Sequence, residues 1–200
     1  MELQRALSDL EEVRDRLSRV QRFEGYSAPA SAASGLVALL AGVVQWHIAP
    51  LPHSTIDTTA YLGIWLTCLA IGLALNYGAV AAWVFKRRSA FSQGQFRSAA
   101  RSIAPSIILG GVLTLALVNH RDFALLPGTW FALYALGLFA SRGAIPKAVL
   151  GVAFAFATLG LAFLTTALDA IALSWWVMPL GFGFGQLAIG YFIWEGSAHE

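Results

Sequence analysis

At 200 residues, with 58% hydrophobic and 12% charged content, the chain is too apolar for an ordinary soluble domain of its size. Its 13 basic and 11 acidic residues leave a net charge of +2, too slight an excess to point to nucleic acid. A single cysteine, Cys68, excludes an intrachain disulfide framework.

Residues 1–29 read as a cytoplasmic amphipathic helix and its linker. Leu3, Leu7, Leu10, Val13, Leu17 and Val20 recur at three- and four-residue spacing and form one stripe. The other face sets Glu12 four residues before Arg16 and Asp15 four before Arg19, both in the favourable acid-first order. Helices that bind anionic lipid are rich in basic residues. Here Glu2, Asp9, Glu11, Glu12, Asp15 and Glu24 stand against five arginines and no lysine. The apolar stripe is therefore expected to pack on itself or on another protein rather than merely to lie on the membrane surface. The segment is charged and helix-forming instead of an apolar signal core, so no cleavage is expected and the first span serves as its own insertion signal. Pro29 is expected to break the chain just before that span.

From residue 30 to 195 the sequence predicts six membrane-crossing helices, with 196–200 as a short cytoplasmic tail. The runs are Ala30–Ile48, Ala60–Phe85, Ser102–Asn119, Phe123–Ser141, Ile145–Leu168 and Ala170–Trp194. Each approaches the roughly 20 apolar residues that cross about 30 Å of hydrocarbon. They are continuous, not the short alternating segments of a barrel, and lipid leaves helices as the remaining way to satisfy the backbone. The fold class is thus all-α and polytopic.

Orientation follows from the basic residues. Arg5, Arg14, Arg16, Arg19 and Arg22 precede the first span, and Lys86, Arg87, Arg88, Arg97 and Arg101 surround the gap after the second. Arg142 and Lys147 follow the fourth, and of the 13 Lys and Arg only Arg121 falls on the other side. Both termini are therefore expected in the cytoplasm of a cell whose inner membrane holds the chain. Trp46, Trp175 and Trp176 near the outer boundary, with Trp83 and Trp194 near the inner one, match interfacial belts.

The even-numbered spans share a pattern. Gly63-x-Trp65 followed by Ala70-x-Gly72-Leu73 is repeated as Gly128-x-Trp130 followed by Ala135-x-Gly137-Leu138. The sixth span keeps Gly181, Ala188 and Gly190 at the same intervals, with Gly183 in the tryptophan's place. This spacing suggests three tandem two-helix hairpins. Independently of any repeat, pairs such as Ala38 with Gly42, Ala153 with Ala157 and Gly181 with Gly185 let backbones approach closely in lipid.

Buried ionisable residues, the usual functional signal in a span, are nearly missing. The deeper polar residues are uncharged: Asn76, Thr114, Thr158 and Gln186. That argues against a proton pump, a voltage sensor or a charge-coupled antiporter. The best local ligand-binding candidate is Pro179, Gly181, Gly183, Gly185 and Gln186, joined by Asn76, because proline and alternate glycines weaken a helix and expose backbone groups. Packing of a kinked, glycine-faced helix is the competing reading. His47, His53, His120 and Asp169 fall near the outer surface, where a metal site would draw on His47, His120 and Asp169. Their spacing matches no ligand motif. No cofactor and no catalytic residue is predicted, since neither nucleophile–base arrangements nor phosphate-binding glycine motifs occur.

Ala104-Pro105-Ser106, Leu126-Pro127-Gly128-Thr129-Trp130 through Gly137, Gly181-Phe182-Gly183 and a charged N-terminal helix leading into Ser34-Gly35 resemble an uncharacterised family of small six-span bacterial membrane proteins. Its members are often encoded beside winged-helix transcription regulators. The resemblance implies the same all-helical fold and a regulatory or stress-linked role, and it transfers no catalytic residue. The leading expectation is a non-enzymatic membrane protein acting through protein partners, as a complex subunit or regulatory component. A carrier of small neutral solutes, or the membrane-embedded substrate-binding unit of a transporter, is the alternative. A metal protein using the outer histidines is the third.

Overall fold

Proline and serine set the start of the first helix. Ser27 accepts the Ala30 amide at 3.3 Å, and Pro29 lies in the first turn, where its missing N–H costs nothing. Pro29 thus opens the helix instead of breaking the chain before it. In the computed structural model the described residues are 27–52, 55–87, 90–143, 145–166 and 168–198, with side chains except at 55–56, 83–87, 90–103 and 197–198. Residues 1–26, and with them the expected amphipathic stripe from Leu3 to Val20, lie outside the described residues.

Within that range the protein is all-helical, with no strand. Helix α1 runs Ala28–Ile48, α2 Thr55–Arg87, α3 Ala90–His120, α4 Leu126–Ala140, α5 Val149–Thr165, the short α6 Asp169–Ala172, and α7 Phe184–Ala198. A single 3-10 turn, Phe123–Leu125, leads into α4, and a π-turn, Pro179–Gly183, leads into α7. Three stretches are long and apolar enough to cross a membrane: Ala28–Ile48, Asp57–Ala82 and Phe123–Ala140. Ala104–His120 and Val149–Thr165 are shorter apolar helices.

The expected continuous helix from Ala170 to Trp194 is not formed. It is interrupted between α6 and the π-turn, where Trp175 donates its amide to the Pro50 carbonyl at 3.0 Å in place of a helical bond. Pro179, which has no N–H to give, follows within one turn. Pro146 similarly delays the fifth helix from Ile145 to Val149.

The helices pack in the order α2, α1, α7, α5, α4, α3, with α3 returning to α2 by a looser contact. Proximity of Gly190 to Ala28 and of Gly196 to Pro146 gathers the start of α1, the α4–α5 loop and the end of α7 at one end. The Trp175–Pro50 bond and the contact of α6 with the 3-10 turn mark the other. At that second end α3 stops in a Schellman arrangement, with Arg121 at φ 62 and the Asp122 amide reaching the Leu117 carbonyl at 2.9 Å.

The exterior is as apolar as the aromatic core, and α1 turns its small and polar residues inward. The buried face of α1 is Ala30, Ser31, Ser34, Gly35, Ala38, Gly42 and Gln45, whereas Leu36, Leu40, Val43 and Val44 point outward. On α5 Phe154 and Leu161 are more than 60% exposed. Small and polar residues inside with bulky aliphatic residues outside is the pattern expected where the surroundings are as apolar as the side chains.

Candidate functional site

The weakened segment before α7 is where a ligand was expected. The Phe184 amide reaches back to the Pro179 carbonyl, the wide turn that gives the π-helix its name. Such a turn splays backbone and opens space, and the space is taken up by the protein's own rings. A Cβ placed on Gly181 would lie 2.3 Å from the Phe131 ring, and one on Gly185 would lie 2.5 Å from the Phe156 ring. Gly183 abuts Leu39 at 2.6 Å in the same sense, and Pro179 fits the notch of Gly42 so closely that a Cβ there would come within 2.1 Å. Phe182 completes the plug, with ring centroids 5.2 Å from both Phe131 and Phe156. Tyr134 stands edge-on to Phe156 at 4.7 Å and accepts a hydrogen bond from the Gln186 amide. Gly181 and Gly185 admit aromatic knobs from α4 and α5 and Gly183 admits a leucine from α1, while Gly181 and Gly185 also line an apolar groove that opens beside α5.

Asn76 joins a different neighbour. Its amide donates to Ser34 Oγ at 2.8 Å and to the Gly72 carbonyl at 2.9 Å, while its oxygen accepts from Ser31 Oγ at 3.4 Å. Ser34 in turn donates to the Ala30 carbonyl at 2.9 Å. This is a satisfied polar seam between α1 and α2, with its donors and acceptors used on each other.

A second polar node passed unremarked at the sequence level. Gln45 is fully buried, donates to the Leu173 carbonyl at 2.7 Å and to the Ala49 carbonyl at 3.3 Å, and accepts the Trp65 indole N–H at 2.8 Å. It ties three chain segments at the end where α1 stops. A lone glutamine in an apolar run was the available signal, since an amide in that setting must find partners. Tyr61, one turn before Trp65, is also fully buried and stacks on Trp130 at 6.3 Å, with its hydroxyl unpaired.

Two of the three suspected hairpins repeat their contacts as well as their letters. Trp65 donates to Gln45 on the preceding helix, and Trp130 donates to Thr114 on its own preceding helix, also at 2.8 Å. Seven residues later a Cβ added to Gly72 would lie 3.9 Å from Ser34 Oγ, and one added to Gly137 would lie 3.7 Å from Ser106 Oγ. The third unit departs from this, because Gly183 carries no indole and Gly190 packs on Ala28 and Ala32 of α1.

Of the outer polar residues, His53 lies outside the described residues. His47 in the last turn of α1 lies against the Trp46 ring, with centroids 5.0 Å apart, and His120 ends α3. Asp169 opens α6. All three are exposed, and no group of three or more His, Cys, Asp or Glu suited to a metal ion occurs among the described residues. Trp46, Trp175 and Trp176 are partly exposed at this end, with Trp46 and Trp175 rings 5.8 Å apart.

Chemically, the described interior offers neutral hydrogen bonds and aromatic packing, with no nucleophile set beside a base. No family model, no curated protein and no solved structure matches the chain.

Proposed function

We propose that this chain is a six-span inner-membrane protein that performs no chemistry of its own and acts through a protein partner, as a complex subunit or regulatory component. The observation that carries this reading is the segment Pro179–Gln186, whose glycines receive Phe131, Phe156 and Leu39 on their inner side, so that the space left beside Gly181 and Gly185 is a groove open to the surface rather than an enclosed chamber. A carrier would need such a chamber near mid-depth, so the same observation favours the partner reading over transport. The Gln45–Trp65 and Asn76–Ser34 bonds support it further, since they hold helices together using the polar groups a solute would need.

In this reading the helices of α1 to α5 and α7 each cross the bilayer, and both termini face the cytoplasm. The partner is met there by the stripe Leu3, Leu7, Leu10, Val13, Leu17 and Val20, whose mixed charge suits a protein surface better than anionic lipid. The resemblance to proteins encoded beside transcription regulators agrees with a regulatory role.

The test is site-specific photocrosslinking from Leu7, Leu10 and Leu17 in native membranes, compared with a chain lacking residues 2–24. A discrete crosslinked species from the stripe positions, absent from Glu12 and Asp15 on the other face and lost on deletion, is expected. Equal crosslinking from both faces, or an unchanged set of associated proteins after deletion, overturns the proposal.

A further inference from the structure

Between α5 and the segment that ends in α7 the outer surface is furrowed by an apolar groove of about 370 Å³. It runs along α5 from Ala148 to Leu159. Small residues hollow it out: Gly151 and Ala155 on one wall, Ala188 on the other. Gly151 is exposed and a Cβ added to it would meet nothing within 4 Å, so this part of the groove is open space. We infer that the groove seats one acyl chain of an anionic phospholipid, with its phosphate beside Lys147.

Three observations select that occupant. The first is length. Ala148 to Leu159 rises about 16 Å at 1.5 Å per residue, close to half of a hydrocarbon core of about 30 Å, which is the depth of one leaflet. The second is chemistry. Val152, Phe156, Leu159, Leu180, Phe184 and Phe192 make the lining almost wholly apolar, the surface that buries an alkyl chain. The third is charge. Lys147 is exposed and adjoins Ala148 at one mouth of the groove, and Arg142 is exposed on the same loop. Gly196 lies 3.6 Å from Pro146 by its added Cβ, which brings the last turn of α7 and its Glu195 to this end as well. Among the described side chains at this mouth, two cations against one carboxylate favour an anionic headgroup where a lipid entering this leaflet must place it.

The inference rests on α5 and α7 crossing the membrane, which alkaline carbonate extraction tests separately: release of the protein would remove that reading before any lipid is examined. For the groove itself, delipidated protein is titrated with dioleoylphosphatidylglycerol or dioleoylphosphatidylcholine and bound lipid is counted by native mass spectrometry. One phosphatidylglycerol is expected to bind about fivefold more tightly than phosphatidylcholine, the preference one interfacial cation supplies. Gly151→Phe, which fills open space and replaces a helix-weakening glycine, should lower that affinity about tenfold through lost acyl burial, with thermal stability kept. Lys147→Gln, an exposed change that leaves the fold alone, should abolish the headgroup preference while retaining acyl binding. Undiminished binding by Gly151→Phe, or equal affinity for the two lipids in the unaltered protein, overturns the inference. So does loss of a co-purifying protein in Gly151→Phe with lipid binding intact, which would assign the groove to a partner.

Discussion

Glycine at position 42 and glycine at position 63 are chemically identical and physically opposite. Pro179 occupies the notch at Gly42, and its ring, fixed by its own backbone, has no rotamer into which to retreat. A methyl group there forces α1 away from the π-turn, and overpacking of this kind costs about 1–3 kcal/mol. Gly63 has nothing within 4 Å and an exposed surface. Its replacement by alanine only removes a helix-weakening residue, a gain of up to about 1 kcal/mol. Thermal unfolding in one detergent should therefore place Gly42→Ala below the unaltered protein and Gly63→Ala level with it or above. The reverse order would mean that the fit of Pro179 against α1 does not form in the membrane.

Helix pairs are held by single polar contacts set in apolar surroundings, and the contact recurs from one hairpin to the next. In α1–α2 it is Trp65 to Gln45, and in α3–α4 it is Trp130 to Thr114. Gln45→Leu leaves the Trp65 N–H and the Leu173 carbonyl without a partner, while Trp65→Phe leaves the glutamine oxygen alone. Each change is expected to destabilise by about 1–3 kcal/mol, the cost of an orphaned buried group. The two together should cost less than their sum, with a coupling of about 0.6–1.7 kcal/mol, the range of interhelical hydrogen bonds in lipid. A double-mutant cycle of unfolding free energies measures this, and strict additivity would dissolve the proposed tie. The apolar runs and the Gly–Trp–Gly spacing were legible in the sequence because periodicity and small-residue patterns are local. The partners were not. Gln45 meets Leu173 across 128 positions, and nothing near either residue announces the other. For the same reason the ring contacts of Gly181 and Gly185 were hidden, since Phe131 and Phe156 belong to α4 and α5. The break at residues 173–176 was half legible, because Pro179 is a local signal whereas the bond from Trp175 to Pro50 is not.

At the scale of the molecule, two gradients define one axis, the first across it and the second along it. The first is radial, from an aromatic core and inward-facing small residues on α1 to bulky aliphatic and aromatic residues such as Leu40, Ile108, Leu115 and Phe154 outside, which fits immersion in lipid. The second runs from end to end. Arg142 and Lys147 share the end that holds the start of α1, while His47, His120, Arg121 and Asp169 belong to the opposite end. If the membrane orients the chain by its basic residues, the end with Arg142 and Lys147 faces the cytoplasm. Cys68 is the only native thiol, so Cys68→Ser gives a background on which single cysteines report their side of the membrane. In intact cells a membrane-impermeant maleimide should label cysteines placed at His120 and Asp169, both exposed, and spare those at Arg142 and Lys147 until the membrane is opened. Arg142→Cys and Lys147→Cys each remove one of the orienting charges, so Gly143→Cys, an exposed position between them, serves as the control that leaves both in place. Labelling of Gly143→Cys in intact cells would invert the orientation, and with it the side on which the proposed partner of the Leu3–Val20 stripe is to be sought.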